Sequence, residues 1–215
     1  AGQMDSFLFV KGRDPILTAI RGCWASAFSE RALSYRLMKG AAILNIDVAV
    51  VIQEMVDPEV SGVMFTADPL SGDRDAIVIN ATYGAGEGIV SGALDSDSFT
   101  VSKTTGAIRT ELASKPTRIA FDAERGLGTR EEAVPAELQD APCRSSEQVR
   151  ELTELGQRIE ALYGKPQDIE WALADGSLYL LQSRPVTGVD FTWDEDVDVT
   201  VQPYAFDPDT VWTHS

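Results

Sequence analysis

Four side chains towards the C-terminal end of this 215-residue chain have the types and spacing to bind a metal–phosphate ligand. Asp168 and Glu170 stand two apart in "QDIEWAL", and Gln182 and Arg184 stand two apart in "SLYLLQSR". Both segments read as strands on either side of Asp175-Gly176, and side chains two apart on a strand share a face. Two carboxylates and an amide oxygen are hard oxygen ligands suited to Mg²⁺, which is usually shared with substrate phosphates. An adjacent arginine brings permanent charge and a bidentate fork for a phosphate oxygen. The competing reading is a cross-strand Asp–Arg ion pair on a solvated face, worth about 0–1 kcal/mol.

Whether the two pairs meet depends on the turn. A tight two-residue Asp175-Gly176 turn pairs odd positions with even ones and separates them. A three-residue loop or a bulge sets Glu170 opposite Gln182 and Asp168 opposite Arg184. The second arrangement is expected, because it gathers Ile169, Trp171, Leu173, Tyr179 and Leu181 on one apolar face.

A second signal is "ATYGAGEGIVSG", residues 81–92, with glycines at 84, 86, 88 and 92 and Glu87 among them. It follows the apolar run "AIVIN". Such freedom permits close approach of backbone to a phosphate, or simply a turn. No helix clearly follows and no Gly-Lys-Ser/Thr is present, so neither a dinucleotide fingerprint nor a Walker A loop matches. Together with the hairpin, the run favours a phosphate–metal site.

The bulk properties narrow the classes. The formal net charge of −16 argues against nonspecific nucleic-acid or anionic-membrane binding. No apolar run is long enough for a membrane span. Cys23 and Cys143 are far apart, which fits two reduced thiols in a cytoplasmic protein better than a disulfide framework or a zinc site. His214 is the one histidine, so chemistry that needs a histidine inside this domain is nearly excluded. Without an initiator Met or a signal-peptide pattern, the chain reads as a segment of a longer protein.

The elements that must position these residues follow from periodicity. Asp14-Pro15 starts a helix carrying Ile16, Ile20, Trp24 and Phe28, and Ser29 caps a second that Gly40 stops. The two are expected to pack together. Residues 47–56, 61–69 and 75–83 read as strands, the first of them buried. A hairpin forms around Thr105-Gly106, and residues 123–144 read as loop. Ser145 and Gln148 have capping-box spacing, and Val149, Leu152, Leu155, Ile159 and Leu162 continue an amphipathic helix that Gly164 and Pro166 end. Between 190 and 209 there are seven acidic residues and no Lys or Arg, which reads as a linker. Helices, then strands, then a helix and a hairpin give an α+β fold with a largely antiparallel sheet.

The blocks "SGVMFTADPLSG", "GAGEGIVSG" and "DIEW", with "LLQSRP" placing Gln182 twelve residues after Glu170, resemble the nucleotide-binding domain of the pyruvate-phosphate dikinase and phosphoenolpyruvate synthase group, which rifampin phosphotransferase shares. The opening "AGQMDSF" resembles the end of a longer motif of that group. The resemblance runs from residue 1 to about 187. It implies an ATP-grasp-like fold with a remnant of the first lobe and hinge at 1–56, the second lobe at 57–187 and an acidic linker at 188–215. The cofactors implied are ATP and Mg²⁺. Glu170 and Gln182 match the metal–nucleotide ligands, Asp168 supports them, and Arg184 contacts phosphate. Glu87 matches a further active-site acid. Gln53, Glu54, Met55 and Val56 match the hinge that holds adenine and ribose. Gly2, Gln3, Met4, Asp5 and Ser6 match a loop over the phosphates, with Ser6 where Thr is common.

The family's catalytic lysine and a phosphate-clamping arginine fall upstream of residue 1, and its phosphohistidine and acceptor domains fall downstream. His214 lacks the glycine-threonine surroundings of the phosphocarrier. The segment alone is therefore expected to lack turnover, with the phosphohistidine domain of the same parent chain as its partner. The parent would cleave ATP to AMP and pass a phosphoryl group through that histidine. The rivals are an ATP-grasp carboxylate ligase and a non-catalytic nucleotide-binding or regulatory module.

Overall fold

In the computed structural model, which describes residues 4–38, 40, 46–90, 92 and 94–186, the chain opens with α1 (Arg13–Ser26) and α2 (Glu30–Met38). Ser29 caps α2, its Oγ accepting the Ala32 N–H at 3.3 Å. The N-cap of α1 is Gly12 rather than Asp14. Asp14 and Pro15 fall inside the first turn, where backbone N–H groups lack helical partners in any case. The apolar stripe of α1 is only partly covered. Ile16 and Ile20 are half-buried, but Trp24 and Phe28 are exposed, and the tight contacts come from Ser26, Ala27 and Ala32.

Residues 47–56 are not a buried strand. Val51 and Ile52 are exposed, and no strand among the described residues pairs with them. β-Branched composition favours an extended backbone, but burial requires a neighbour.

The central sheet holds β1 (Val60–Phe65), β2 (Ala76–Tyr83), β3 (Asp97–Ser102), β4 (Ile108–Glu111), β7 (Gln167–Ala174) and β8 (Ser177–Pro185). Its order is β4-β3-β2-β1-β7-β8, with every neighbouring pair antiparallel. One face carries Met64, Ile77, Ile79, Phe99, Val101, Ile169 and Trp171, all buried. It packs under α5 (Ser146–Tyr163) through Val149, Leu152 and Ile159. The capping box of α5 is complete: the Ser145 N–H donates to Gln148 Oε1 at 2.9 Å, and the Gln148 N–H returns to Ser145 Oγ at 3.3 Å. The fold is thus α+β and ATP-grasp-like, a mostly antiparallel sheet with flanking helices. Among the described residues no helix is long and apolar enough to cross a membrane.

Residues 123–144 are not a plain loop. They hold β6 (Thr129–Ala133) and α4 (Ala136–Gln139), and β6 pairs with β5 (Thr117–Phe121) in a separate hairpin. Its polarity hid it: Arg118–Glu132, Arg130–Glu132 and Arg130–Glu124 ion pairs lace its surface.

Gly62 in "SGVMFT" is a packing requirement. A Cβ there would collide with the Asn80 carbonyl oxygen and stand 2.6 Å from Trp171 Cζ2. Both obstacles are fixed, one being backbone and the other a fully buried ring. Gly62→Ala is expected to destabilise the domain by roughly 1–3 kcal/mol, read as a lower urea midpoint at unchanged slope. An unaltered midpoint would contradict the close packing of β1 on Trp171.

Candidate functional site

The β7–β8 hairpin sets the geometry. Asp175 and Gly176 have φ of 49° and 69° and form a two-residue turn that pairs Ala174 with Ser177. Positive φ at both central residues is the type I′ pattern that suits strand twist. Regular pairing would carry the odd–even mismatch along the whole ladder. A bulge corrects it: Trp171 faces Leu180, but Glu170 faces Gln182, so Leu181 is the extra residue. Glu170↔Gln182 and Asp168↔Arg184 are therefore cross-strand pairs on one face.

The bulge also corrects the apolar assignment. Ile169, Trp171 and Leu173 do share the core face, but their partners there are Leu180 and Leu178. Tyr179 pairs with Ala172, on the face of Glu170, and is 40% exposed. The two-residue turn dictates this swap, because register changes only beyond the bulge.

The four polar groups form two joined pairs. Arg184 donates through Nε at 2.8 Å and approaches through Nη2 at 2.7 Å, both to Asp168 Oδ2. This occupies two of the five N–H groups of a guanidinium that remains partly exposed. Asp168 is almost buried. Gln182 Nε2 lies 3.5 Å from Glu170 Oε1. Burial, and then the nearby Asp168 carboxylate, push the Glu170 carboxyl up, with Arg184 partly opposing them. A half-buried carboxylate beside a second one is where a cation gains most.

The donor set suits a hard cation. Glu170 supplies carboxylate oxygen, and rotation of the Gln182 amide presents its oxygen in place of nitrogen. Among the described residues no three His, Cys, Asp or Glu side chains gather so as to hold a metal by themselves. A metal here would complete its shell from phosphate and water, as Mg²⁺ commonly does.

The glycine run lies over the same face. Ser61 Oγ donates to the Gly84 carbonyl, and a Cβ on Gly86 would stand 3.3 Å from Ser61 Oγ. Ser61 is two residues along β1 from Val63, the partner of Glu170. Strand geometry makes that separation roughly 7 Å along the sheet. The run reaches this position because Gly84 bridges Ile119 of β5, with the Ala85 N–H donating to the Ile119 carbonyl at 2.8 Å. Glu87 then opens the four-residue α3 (Glu87–Val90).

The other predicted residues divide into two groups. Gln53 Nε2 donates to the carbonyl of Leu181 at 3.4 Å, so the segment 53–56 reaches β8 at the bulge beside Gln182. Glu54 and Met55 are exposed, and Val56 is half-buried. Ser6 lines a cleft of about 220 Å³ with Glu87, Leu127, Gly128 and Thr129. Asp5 is pinned to α1 by its N–H to Ser26 Oγ at 2.9 Å, and its carboxylate lies 4.0 Å from Arg31. Met4 is exposed. Gly2, Gln3, the segment 188–215 and His214 lie outside the described residues. Sequence reasoning missed Thr129, whose hydroxyl lies 3.3 Å from Glu87 Oε2. No local signal marks it, since the contact spans 42 positions and depends on the β5–β6 hairpin.

The family model described as pyruvate phosphate dikinase, AMP/ATP-binding domain, matches residues 1–202. A rifampicin phosphotransferase from Streptomyces sp. is 44% identical over 199 residues, covering 93% of this chain and 23% of that protein. A probable phosphoenolpyruvate synthase from Methanothermobacter thermautotrophicus is 43% identical, covering 87% of this chain and 27% of its own length. A prodigiosin synthesizing transferase from Serratia marcescens is 41% identical, with 87% and 21% covered. The chain thus spans about a quarter of the length of these curated relatives. With nearly all of its length matched, and with a paired carboxylate–amide–arginine hairpin facing a glycine-rich loop, the chain belongs to the pyruvate phosphate dikinase AMP/ATP-binding domain family.

Proposed function

We propose that this chain is the Mg-ATP-binding portion of a dikinase-type phosphotransferase. The parent protein cleaves ATP to AMP, passing the β-phosphoryl through a histidine on another of its domains to an acceptor, pyruvate or a hydroxyl of another small molecule, while the γ-phosphoryl leaves on water or inorganic phosphate. Residues 1–56 serve as part of the first lobe and hinge, 57–187 as the second lobe, and 188–215 as the link to the next domain. The observation that carries this reading is the bulged register, which sets Glu170 opposite Gln182 and Asp168 opposite Arg184.

In this mechanism the chain positions and neutralises. Glu170 and Gln182 would hold the metal, and Asp168 holds Arg184 by two contacts, leaving the rest of its guanidinium free to meet phosphate oxygens. When bound, Mg²⁺ offsets charge on the transferring phosphoryl oxygens. Gly2 to Ser6 cover the phosphate tail, and the Ser6 hydroxyl donates to it. Backbone groups of Gln53 to Val56 take the adenine, and Glu54 takes the ribose. Glu87 sits across the cleft from Ser6, where it orients the reacting phosphoryl or its acceptor. The small number of cations in these segments is consistent with further positive groups supplied by the rest of the parent.

Product analysis tests the reading. The parent with Mg-ATP is expected to release AMP and to form an acid-labile phosphoenzyme on histidine. ADP with no phosphoenzyme would assign it instead to an acyl-phosphate-forming ligase. No nucleotide cleavage at all would assign it to a binding module.

A further inference from the structure

We propose that Thr129 is a positioning residue for Glu87, presented to it by the β5–β6 hairpin. The inference rests on the nucleotide-site reading above and assigns a function to an element that reading leaves unused.

Glu87 stands at the head of a four-residue helix, directly after the stretch of the glycine run that β5 anchors. Thr129 Oγ1 donates to Glu87 Oε2 at 3.3 Å. Thr129 is itself well anchored. It is the first residue of β6 and pairs with Phe121. The tip between them is closed on Asp122, whose carboxylate accepts the N–H groups of Glu124 and Arg125 and whose carbonyl accepts that of Gly126 at 2.8 Å.

The hairpin is fastened to both loops that face the cleft. On one side Ile119 bridges Gly84, and a Cβ on Gly84 would collide with the Ile119 carbonyl oxygen. On the other, the Gly128 N–H donates to the Phe9 carbonyl at 3.3 Å, and the Phe9 and Phe121 rings lie 5.2 Å apart. The Ser6 segment and the Glu87 loop thus have no need to touch each other. Each is located against the same hairpin: Thr129 directly follows Gly128, and its partner Phe121 lies two residues from Ile119.

A hydroxyl donor on an ionised carboxylate is worth roughly a tenfold change in rate if it orients the group only for reaction. In the parent protein, Thr129→Val is expected to lower kcat for AMP formation about tenfold, with KM for ATP changed less than about threefold. Thr129→Ser should return kcat to within about twofold of wild type, and Thr129→Ala should show the same split as Thr129→Val. In a Glu87→Gln background, Thr129→Val should add no further loss. An unchanged kcat in Thr129→Val, failure of rescue by Ser, or full additivity with Glu87→Gln would each overturn the assignment. Wild-type turnover with an indifferent Thr129 overturns this inference alone, whereas a parent that neither binds nor cleaves ATP overturns the nucleotide reading with it.

Discussion

Replacing Glu170 and Gln182 together by alanine in the parent protein is expected to abolish ATP-dependent phosphorylation, a loss at least on the order of 10³-fold. The bulge sets these two oxygen-bearing side chains opposite each other on the open face of the β7–β8 edge, and Asp168 is already committed to Arg184. The fold should survive. Gln182 is exposed, and its contact with Glu170 is a long 3.5 Å. Ionised Glu170 is also a burden on the folded state. Because burial and Asp168 raise its pKa, the folded chain holds that proton more tightly than the unfolded chain does. Its cost is therefore absent below the unfolded value of about 4.3 and grows as pH rises through the folded one. Glu170→Ala should leave the melting temperature of the nucleotide-free protein at pH 7–8 equal or higher, and that advantage should vanish near pH 4. Phosphoenzyme formation at the wild-type rate in the double variant would remove the metal assignment, and a lower neutral-pH melting temperature would contradict the electrostatic account.

The ease of reading differed along the chain for physical reasons. α5 was legible from end to end, because a capping box, an apolar period and a stop are all local. The site hairpin was legible as two alternatives, since period-2 spacing fixes which residues share a strand face but not how two strands slide. Only the bulge at Leu181 decides it, and Leu181 looks like any other core leucine in "SLYLLQSR". That ambiguity misplaced Tyr179. Residues 47–56 were misread because composition reports backbone preference, while burial of Val51 and Ile52 depends on a neighbour that the sequence does not name. The β5–β6 hairpin was invisible for the opposite reason. Its strands satisfy themselves with charge pairs and carry little apolar alternation, yet this hairpin locates Glu87.

The largest effect on stability is expected at Asp97, a residue with no place in the nucleotide site. Its Oδ1 accepts Lys115 Nζ at 2.6 Å and the Ala113 N–H at 3.1 Å, and its Oδ2 accepts the Cys143 N–H at 2.8 Å. Both charged side chains are 0% exposed. Burial by itself would push the Asp97 carboxyl up, but Lys115 and the backbone donors outweigh it and hold the pKa below the ordinary value. Asp97→Ala leaves the Lys115 ammonium buried without its partner, at an expected cost of about 3–5 kcal/mol in urea unfolding. Asp97→Leu with Lys115→Met removes both charges and should be less damaging than Asp97→Ala. The contribution of a carboxyl with a depressed pKa is present above the unfolded value of about 3.9 and is lost as pH falls through the folded one. The wild type should therefore lose its margin over Asp97→Ala only in strong acid. Thiol accessibility gives an independent readout. Cys143 is buried and burial pushes its thiol up, whereas Cys23 is half-exposed. Native wild type should react rapidly at one thiol and the Asp97→Ala variant at two, and equal labelling of both proteins would refute the latch. The same latch bears on chemistry: Lys115 stands two residues before β5, whose Ile119 holds the glycine run. Loosening a buried ion pair on the far side of the sheet should therefore free Glu87 from its register and lower turnover, even in molecules that remain folded.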